Sequence, residues 1–222
     1  MNNLTLIIPA KREKESLSKV LDELNPYNLK IIVVLEKEDV ETIKTIKNKN
    51  CEILYQKNKG YGDALIQGIN YVQTELFCIF NADGSFNPIE LKNMLHIMQD
   101  NNSDLIFASR YEKNCSSEDD TLITLVGNFI FTKIGKIFFN LNITDILYTF
   151  VIGKSQKVKK LNLNSKDFVF CVELPIKAKR NNLKLSTSKS NERKRIGGQK
   201  KVNAFKDGLS ILLGMIKLFF KI

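Results

Sequence analysis

Over its first half the chain alternates short apolar runs with longer stretches in which apolar residues recur every third or fourth position. The runs fall at 4–8, 30–35, 52–55, 76–80 and 104–108. They have strand length, and polar or turn-forming residues bound them. Helical spacing occupies the intervals 16–24, 40–47, 61–72 and 88–98, with Pro88 expected in the first turn of its helix. Strand and helix in alternation predict an α/β domain whose central sheet is mostly parallel and flanked by helices. Ligands of such sheets gather beyond the C-terminal ends of the strands, so the residues just after each run are the candidates for chemistry.

After Arg110 the pattern loosens. A polar loop at 112–120 leads into an apolar helix at 121–139, followed by a short turn holding Asp145. A helix at 173–181, a strand at 184–188 and a basic loop at 191–201 come next. The last helix carries an apolar stripe of Phe205, Leu209, Leu212, Ile216, Phe219 and Phe220 beside Lys206, Lys217 and Lys221. A stripe at this spacing is expected to pack on its own domain, and its basic flanks make a membrane surface the alternative. There is no internal repeat or low-complexity linker, so residues 1–222 are expected to form one domain.

Composition narrows the class. The 222 residues are 43% hydrophobic, enough for a sizeable core, and lack the Gly, Pro or Cys enrichment of fibrous or disulfide-stapled chains. Cys51, Cys78, Cys115 and Cys171 are far apart and there is one histidine, His96, which reads as structural. Reduced thiols in a cytoplasmic protein are expected. A membrane-crossing helix needs ~20 mostly apolar residues. The uncharged runs at 121–132 and 208–216 stop at Lys133 and Lys217, and Lys11 and Arg12 come too early for a signal peptide, so neither spanning nor export is expected.

Charge is divided unevenly along the chain. Up to Gly153 there are 16 basic and 20 acidic residues, a balance of −4; from Lys154 onward there are 18 against 4, a balance of +14. The C-terminal third therefore favours an anionic partner such as nucleic acid, lipid headgroups or a phosphorylated substrate, unless it is a solvated basic surface. No aromatics are interleaved with the charges of 181–201, which counts against single-stranded nucleic acid.

The sharpest local signal is Phe80-Asn81-Ala82-Asp83-Gly84-Ser85, polar oxygen groups directly after a buried strand. Oxygen ligands at a strand end suit a hard cation such as Mg²⁺ or Mn²⁺ neutralising a diphosphate; alone, the same residues make a tight turn. Other strand ends carry matching features, and in order and spacing they resemble the family 2 glycosyltransferases of GT-A fold, with the closest likeness to the dolichyl-phosphate mannose synthase and polyprenyl-phosphate glycosyltransferase branch. Ile7-Ile8-Pro9-Ala10-Lys11-Arg12-Glu13 resembles the opening strand of that family, in which the proline and the acidic residue line the nucleotide pocket. Glu36 stands where an acid usually reads the base or ribose, and Asn58-Lys59-Gly60-Tyr61-Gly62-Asp63 matches the glycine-bearing loop. Asn81-Ala82-Asp83 stands at the metal-binding D-x-D position.

The likeness continues to about residue 216. Ala108-Ser109-Arg110-Tyr111 resembles G-S-R-Y, whose arginine meets the acceptor phosphate, and Asp145 matches an aspartate on the acceptor side. Arg195-Ile196-Gly197-Gly198-Gln199-Lys200-Lys201 resembles R-x-x-G-x-S-K, and Asp207-Gly208 falls where a D-G pair opens the last helix. The chain departs from the pattern at Asn81, Glu36 and Lys200, in the stretch 145–150, and near Thr124, where a second basic residue is missing. Asp83 thereby becomes the main metal ligand, with Asn81 contacting the metal, its water or the sugar.

The resemblance implies an inverting, metal-dependent transfer of a sugar from a nucleotide-sugar donor to a polyprenyl phosphate. Residues 1–110 would hold the donor and 111–222 the acceptor, on the inner membrane face. Glu13, Glu36, Pro9, Ala10, Gly60, Gly62, Asn81 and Ala82 would line the donor pocket, while Asp83, Asp145, Arg110, Arg195 and Lys201 would act on the metal and phosphates. A sugar-hydroxyl acceptor would need a general base, whereas a phosphate is already ionised. Two alternatives are a glycosyltransferase that elongates a glycan and a non-catalytic nucleotide or nucleic-acid binding module. Without the resemblance, Glu13 reads as helix-start support, Gly60 and Gly62 as a turn, Asp145 as a local cap, and Arg195 with Lys201 as a solvated loop.

Overall fold

The computed structural model describes residues 3–197 and 201–220. Gly198, Gln199 and Lys200 of the basic motif, and Lys221, lie outside the described residues. The strands are β1 (Leu4–Pro9), β2 (Lys30–Leu35), β3 (Glu52–Tyr55), β4 (Leu76–Ile79), β5 (Leu105–Ser109), β6 (Val151–Lys154) and β7 (Leu185–Lys189). They form one sheet in the order β3-β2-β1-β4-β6-β5-β7. Every pairing is parallel except those of β6, which runs antiparallel between β4 and β5.

Helices α1 (Leu17–Leu24), α2 (Val40–Ile46), α3 (Tyr61–Tyr71), α4 (Glu90–Asp100), α5 (Leu122–Phe139), α6 (Ser155–Lys159), α7 (Phe170–Arg180) and α8 (Ala204–Phe220) complete the fold. Alternate side chains of each buried strand serve opposite faces. Leu6 and Ile8 of β1 join a core with α1, α2 and α4, while Ile7 joins a second core with α3, α7 and α8. Pro88 stands in the turn just before α4, where its carbonyl accepts from Leu91 N at 3.2 Å. The four cysteines are free, and burial pushes the Cys171 thiol up to about 12.

One expectation about the apolar helices is overturned, and the run count behind another proves too coarse. The stripe on α8 does not pack on the domain: Ile211 and Met215 are its buried residues, and Phe205, Leu209 and Phe220 face outward. Helix α5 has a mean hydropathy of 1.5 over 18 residues, long and apolar enough to cross a membrane, with 17% of it buried. Counting uncharged runs missed this because Lys133 and Lys136 interrupt the run without lowering the average enough.

Buried Asp104 ties β6, α6 and β7 together, taking Lys157 Nζ at 2.8 Å, Lys154 Nζ at 3.0 Å and Lys184 N at 3.1 Å. Burial alone would raise its pKa, but these donors outweigh burial and hold it below the usual carboxylate range. The carboxylate therefore adds stability that is present above its unfolded pKa and is lost as pH falls through the lowered folded value. Asp104→Asn is expected to flatten that acid limb in urea unfolding measured as a function of pH; an unchanged limb would refute the linkage.

Candidate functional site

The C-terminal ends of β1, β2, β4 and β5 line one edge of the sheet. At β4 the turn 81–85 is seated on aromatic rings: Phe86 stacks on Phe150 with centroids 4.7 Å apart, and Phe80 meets Phe150 edge-on at 5.5 Å. Gly84 adopts φ +84°, and Asp83 Oδ1 accepts from Ser85 N at 3.0 Å. Both ends of the Asn81 amide are engaged, Nδ2 with Ser85 Oγ and Oδ1 with Phe86 N at 3.3 Å. Ala82 is buried in the core beneath the turn.

The basic segment lies over this turn. Ile196 N donates to Asp83 O at 2.7 Å, Arg193 N donates to Ser85 O at 2.9 Å, and the Ile196 side chain fills the space beside Gly84. Arg195 grips Asp119 with Nε at 3.0 Å and Nη2 at 2.7 Å, and the same Nη2 lies 3.5 Å from Asp83 Oδ2. The bond to Asp119 is the main cause that raises the Arg195 pKa. Further along, Lys201 pairs with buried Glu13, whose backbone N donates to Thr42 Oγ1 at 2.9 Å. Glu36 at the end of β2 pairs with Lys11 at 3.0 Å, and Ala10 N bonds Val34 O, so Pro9 and Ala10 are fixed beside that strand.

Beyond β5 stands a denser cluster. Asp145, 1% exposed, accepts from Arg110 N at 3.1 Å, Arg110 Nε at 2.8 Å, Arg110 Nη2 at 3.0 Å and Asn128 Nδ2 at 2.6 Å. Arg110 Nη1 bonds Glu192 at 3.0 Å and faces Asp120 at 3.6 Å, and the guanidinium lies 4.5 Å from the Tyr148 ring centroid. Burial opposes the charge on Arg110, but Asp145 and Glu192 outweigh it and raise its pKa. Burial raises the pKa of Glu192, against the opposing pull of Arg110 and Ser117.

The three expected phosphate contacts thus each sit with carboxylates: Arg110 with Asp145 and Glu192, Arg195 with Asp119 and Asp83, Lys201 with Glu13. Gly60 and Gly62 are placed against residues 165–167. A Cβ on Gly60, at φ +126°, would lie 2.1 Å from Lys166 O, and one on Gly62 would lie 2.2 Å from Ser165 O and 2.7 Å from Asp167 O. Their lack of a side chain serves this close approach. Gly62→Ala is expected to cost about 1–3 kcal/mol by overpacking, read as a lower urea midpoint; an unaltered midpoint would show that the 165–167 segment yields.

Sequence reading missed Asn128, Asp119, Glu192 and Lys11. The acidic run 118–120 just before α5 was a visible signal; buried Asn128, in the middle of an apolar helix, was another. Among the described residues no three His, Cys, Asp or Glu side chains are grouped to hold a metal ion. A hard cation that takes one protein oxygen and completes its shell with diphosphate and water does fit at Asp83 Oδ2, which among the described residues is bonded to no backbone group and faces the Arg195 guanidinium at 3.5 Å.

An open-edged α/β sheet with an acidic turn after a central strand and cationic groups folded over it is the architecture of nucleotide-sugar transferases of GT-A fold. Residues 5–162 match glycosyl transferase family 2, and the chain belongs to that family. It is a glycosyltransferase, which sets aside the non-catalytic binding module. It is 25% identical over 193 residues to a dolichol-phosphate mannosyltransferase of Pyrococcus furiosus, covering 79% of this chain and 53% of the relative, so it spans about half the length of that protein. It is 24% identical over 204 residues to the UDP-N-acetylglucosamine–dolichyl-phosphate N-acetylglucosaminyltransferase of Methanococcus voltae, covering 81% of each. Among solved structures, glucosyl-3-phosphoglycerate synthase from Mycobacterium tuberculosis, in complex with Mn²⁺, UDP-glucose and phosphoglyceric acid, superposes with a TM-score of 0.76 at 10% identity, over 98% of this chain and 80% of that one. That likeness establishes the fold.

Proposed function

We propose that the chain transfers a sugar, with inversion, from a nucleotide-sugar donor to a polyprenyl phosphate at the cytoplasmic face of a membrane. The observation that carries the acceptor class is the commitment of the acceptor-side carboxylates. Asp145 accepts four hydrogen bonds, and Asp119 and Glu192 are each held by an arginine. Asp145, the candidate base on the acceptor side, is thereby left without the free lone pair needed to take a proton from a sugar hydroxyl, and Asp119 and Glu192 are each engaged with a cation. A phosphate oxygen brings its own charge. The two dolichyl-phosphate relatives support the same reading.

In this mechanism Pro9, Ala10, Glu13 and Glu36 border the nucleoside, with Gly60 and Gly62 shaping the wall behind it. Asp83, with Asn81 beside it, would hold Mg²⁺ or Mn²⁺, and the cation would supply charge for the departing diphosphate. Arg195 and Lys201 exchange their carboxylate partners for donor or acceptor phosphates, and Arg110 holds Asp145 and Glu192 so that the acceptor wall keeps its shape. An acceptor phosphate oxygen forms its bond to the anomeric carbon as the bond to the diphosphate oxygen breaks on the opposite face. Products are the polyprenyl phosphate sugar and a nucleoside diphosphate, and no proton has to be removed.

The test is an acceptor panel with radiolabelled nucleotide sugars and Mg²⁺ or Mn²⁺, comparing polyprenyl phosphates with oligosaccharides. Label in the polyprenyl phosphate fraction is the expected result. Transfer only to a sugar hydroxyl would overturn the proposal in favour of glycan elongation.

A further inference from the structure

Helix α3 opens on Tyr61, whose ring is firmly placed. Gly60 and Gly62 on either side press against residues 165–167, Asp63 N donates to Lys166 O at 3.1 Å, and the Tyr61 ring stacks on Phe168 with centroids 5.0 Å apart. The phenol oxygen meets Thr149 Oγ1 at 2.7 Å. Thr149 stands between Tyr148 and Phe150, whose rings pack on Phe86 in the first core, while its own partner Tyr61 packs against the second core on the other side of the sheet. It lies in the stretch 145–150, where the chain departs from the family pattern, so the resemblance assigns this pair no role.

The register of β4 and β6 sets the pair beside the 81–85 turn. Ile79 is opposite Val151, Phe80 meets Phe150 edge-on, and one residue further along Thr149 comes level with Asn81. Asp83 is near enough for its charge to add to the burial that is the main cause raising the Tyr61 pKa, so the phenol is a neutral hydroxyl. Both side chains are partly exposed and can be reached. Their mutual bond is, among the described residues, the one hydrogen bond either hydroxyl makes, which leaves a donor proton and lone pairs unused. A neutral polyol, which donates and accepts, matches that set; a phosphate only accepts and would leave the lone pairs facing it. The nucleoside border at β1 and β2 and the basic segment over Asp83 take up other sides of the turn, and the side held by Tyr61 and Thr149 remains for the sugar.

We propose that Tyr61 and Thr149 form the sugar-reading pair of the donor site and hydrogen-bond a hydroxyl of the sugar that is transferred. This role rests on the donor placement given above and takes nothing from the identity of the acceptor. It makes the two residues determinants of donor specificity, because a site that hydrogen-bonds a substrate hydroxyl rejects analogues lacking it far more strongly than an apolar pocket can.

The experiment is calorimetric titration of the full chain in the presence of Mn²⁺, comparing UDP with UDP-glucose and GDP with GDP-mannose. Tyr61→Phe, which keeps the ring on Phe168, and Thr149→Val are each expected to weaken the sugar nucleotide that binds by about tenfold, and to leave the matching nucleoside diphosphate within about twofold of the parent. Thr149→Ser, which keeps a hydroxyl, is expected to bind as the parent does. Both of the first two variants lose the bond between α3 and the entry to β6. If that bond is only a tether, they lower the thermal midpoint and leave the difference between sugar nucleotide and diphosphate unaltered, which would overturn the pair. Equal weakening of sugar nucleotide and diphosphate would move the pair to the nucleotide and overturn it as well. Failure of the donor placement reads differently, since the parent itself would then bind neither sugar nucleotide and the pair would fall with it. No acceptor is present in the titration, so the polyprenyl-phosphate reading stands or falls separately in its own panel.

Discussion

Asp83→Ala is expected to lower turnover of any nucleotide sugar by about 10²–10³-fold, the usual consequence of losing a group that stabilises charge developing on a leaving group. Asp83 is the one carboxylate of the 81–85 turn, and its Oδ2 faces Arg195 at 3.5 Å. In the proposed reaction that guanidinium would give way to a divalent ion and diphosphate, and the substitution would remove the carboxylate that receives the ion. The fold should survive, because the lost internal bond, from Ser85 N at 3.0 Å, is worth about 1 kcal/mol. Asn81→Asp makes the reciprocal test: a second carboxylate on the turn is expected to lower the Mn²⁺ concentration needed for half-maximal rate. Turnover that survives in Asp83→Ala would sink the metal assignment.

Asp145→Ala is expected to destabilise the chain by about 3–5 kcal/mol, since removing one partner of a buried ion pair strands the other. The group left short is Arg110, whose side chain is 10% exposed, which gives Asp145 three of its four hydrogen bonds and would keep Glu192 and Asp120 on Nη1 alone. For a domain of this size the loss corresponds to a fall in Tm of ~10 °C. Arg110→Lys should recover little, because an ammonium cannot reproduce the planar fork that holds Asp145 and Glu192 together. A Tm within a degree or two of the parent would show that the cluster is not the anchor of the acceptor wall.

Strand positions were legible because long apolar runs have few alternatives: β1, β2 and β3 begin where the pattern begins. Strand β6 was not, being Val-Ile-Gly-Lys, four residues with a glycine and no period of their own. Its place is set by β4 and β5 on either side. Helix α5 was found by its apolarity, but periodicity gives the positions of the apolar residues and says nothing of which side meets water. In the site, the turn 81–85 could be read because its groups are adjacent in sequence. The partners of Arg110 could not, since Asp145 is 35 residues away and Glu192 is 82. Gly60 and Gly62 were legible as glycines with a purpose, and the purpose needed the 165–167 segment to be seen.

Strand β6 also constrains how the chain can be made. It fills the gap between β4 and β5 and is synthesised after both, and β7 later still pairs with β5. During synthesis β4 and β5 therefore wait with open hydrogen-bonding edges, the condition under which nascent sheets associate wrongly. Cutting the chain at Arg110, the proposed border between donor and acceptor portions, would leave those edges open permanently. The division proposed for the chemistry is therefore no seam for folding, and the enzyme becomes a cooperative unit only once β6 and β7 have been translated.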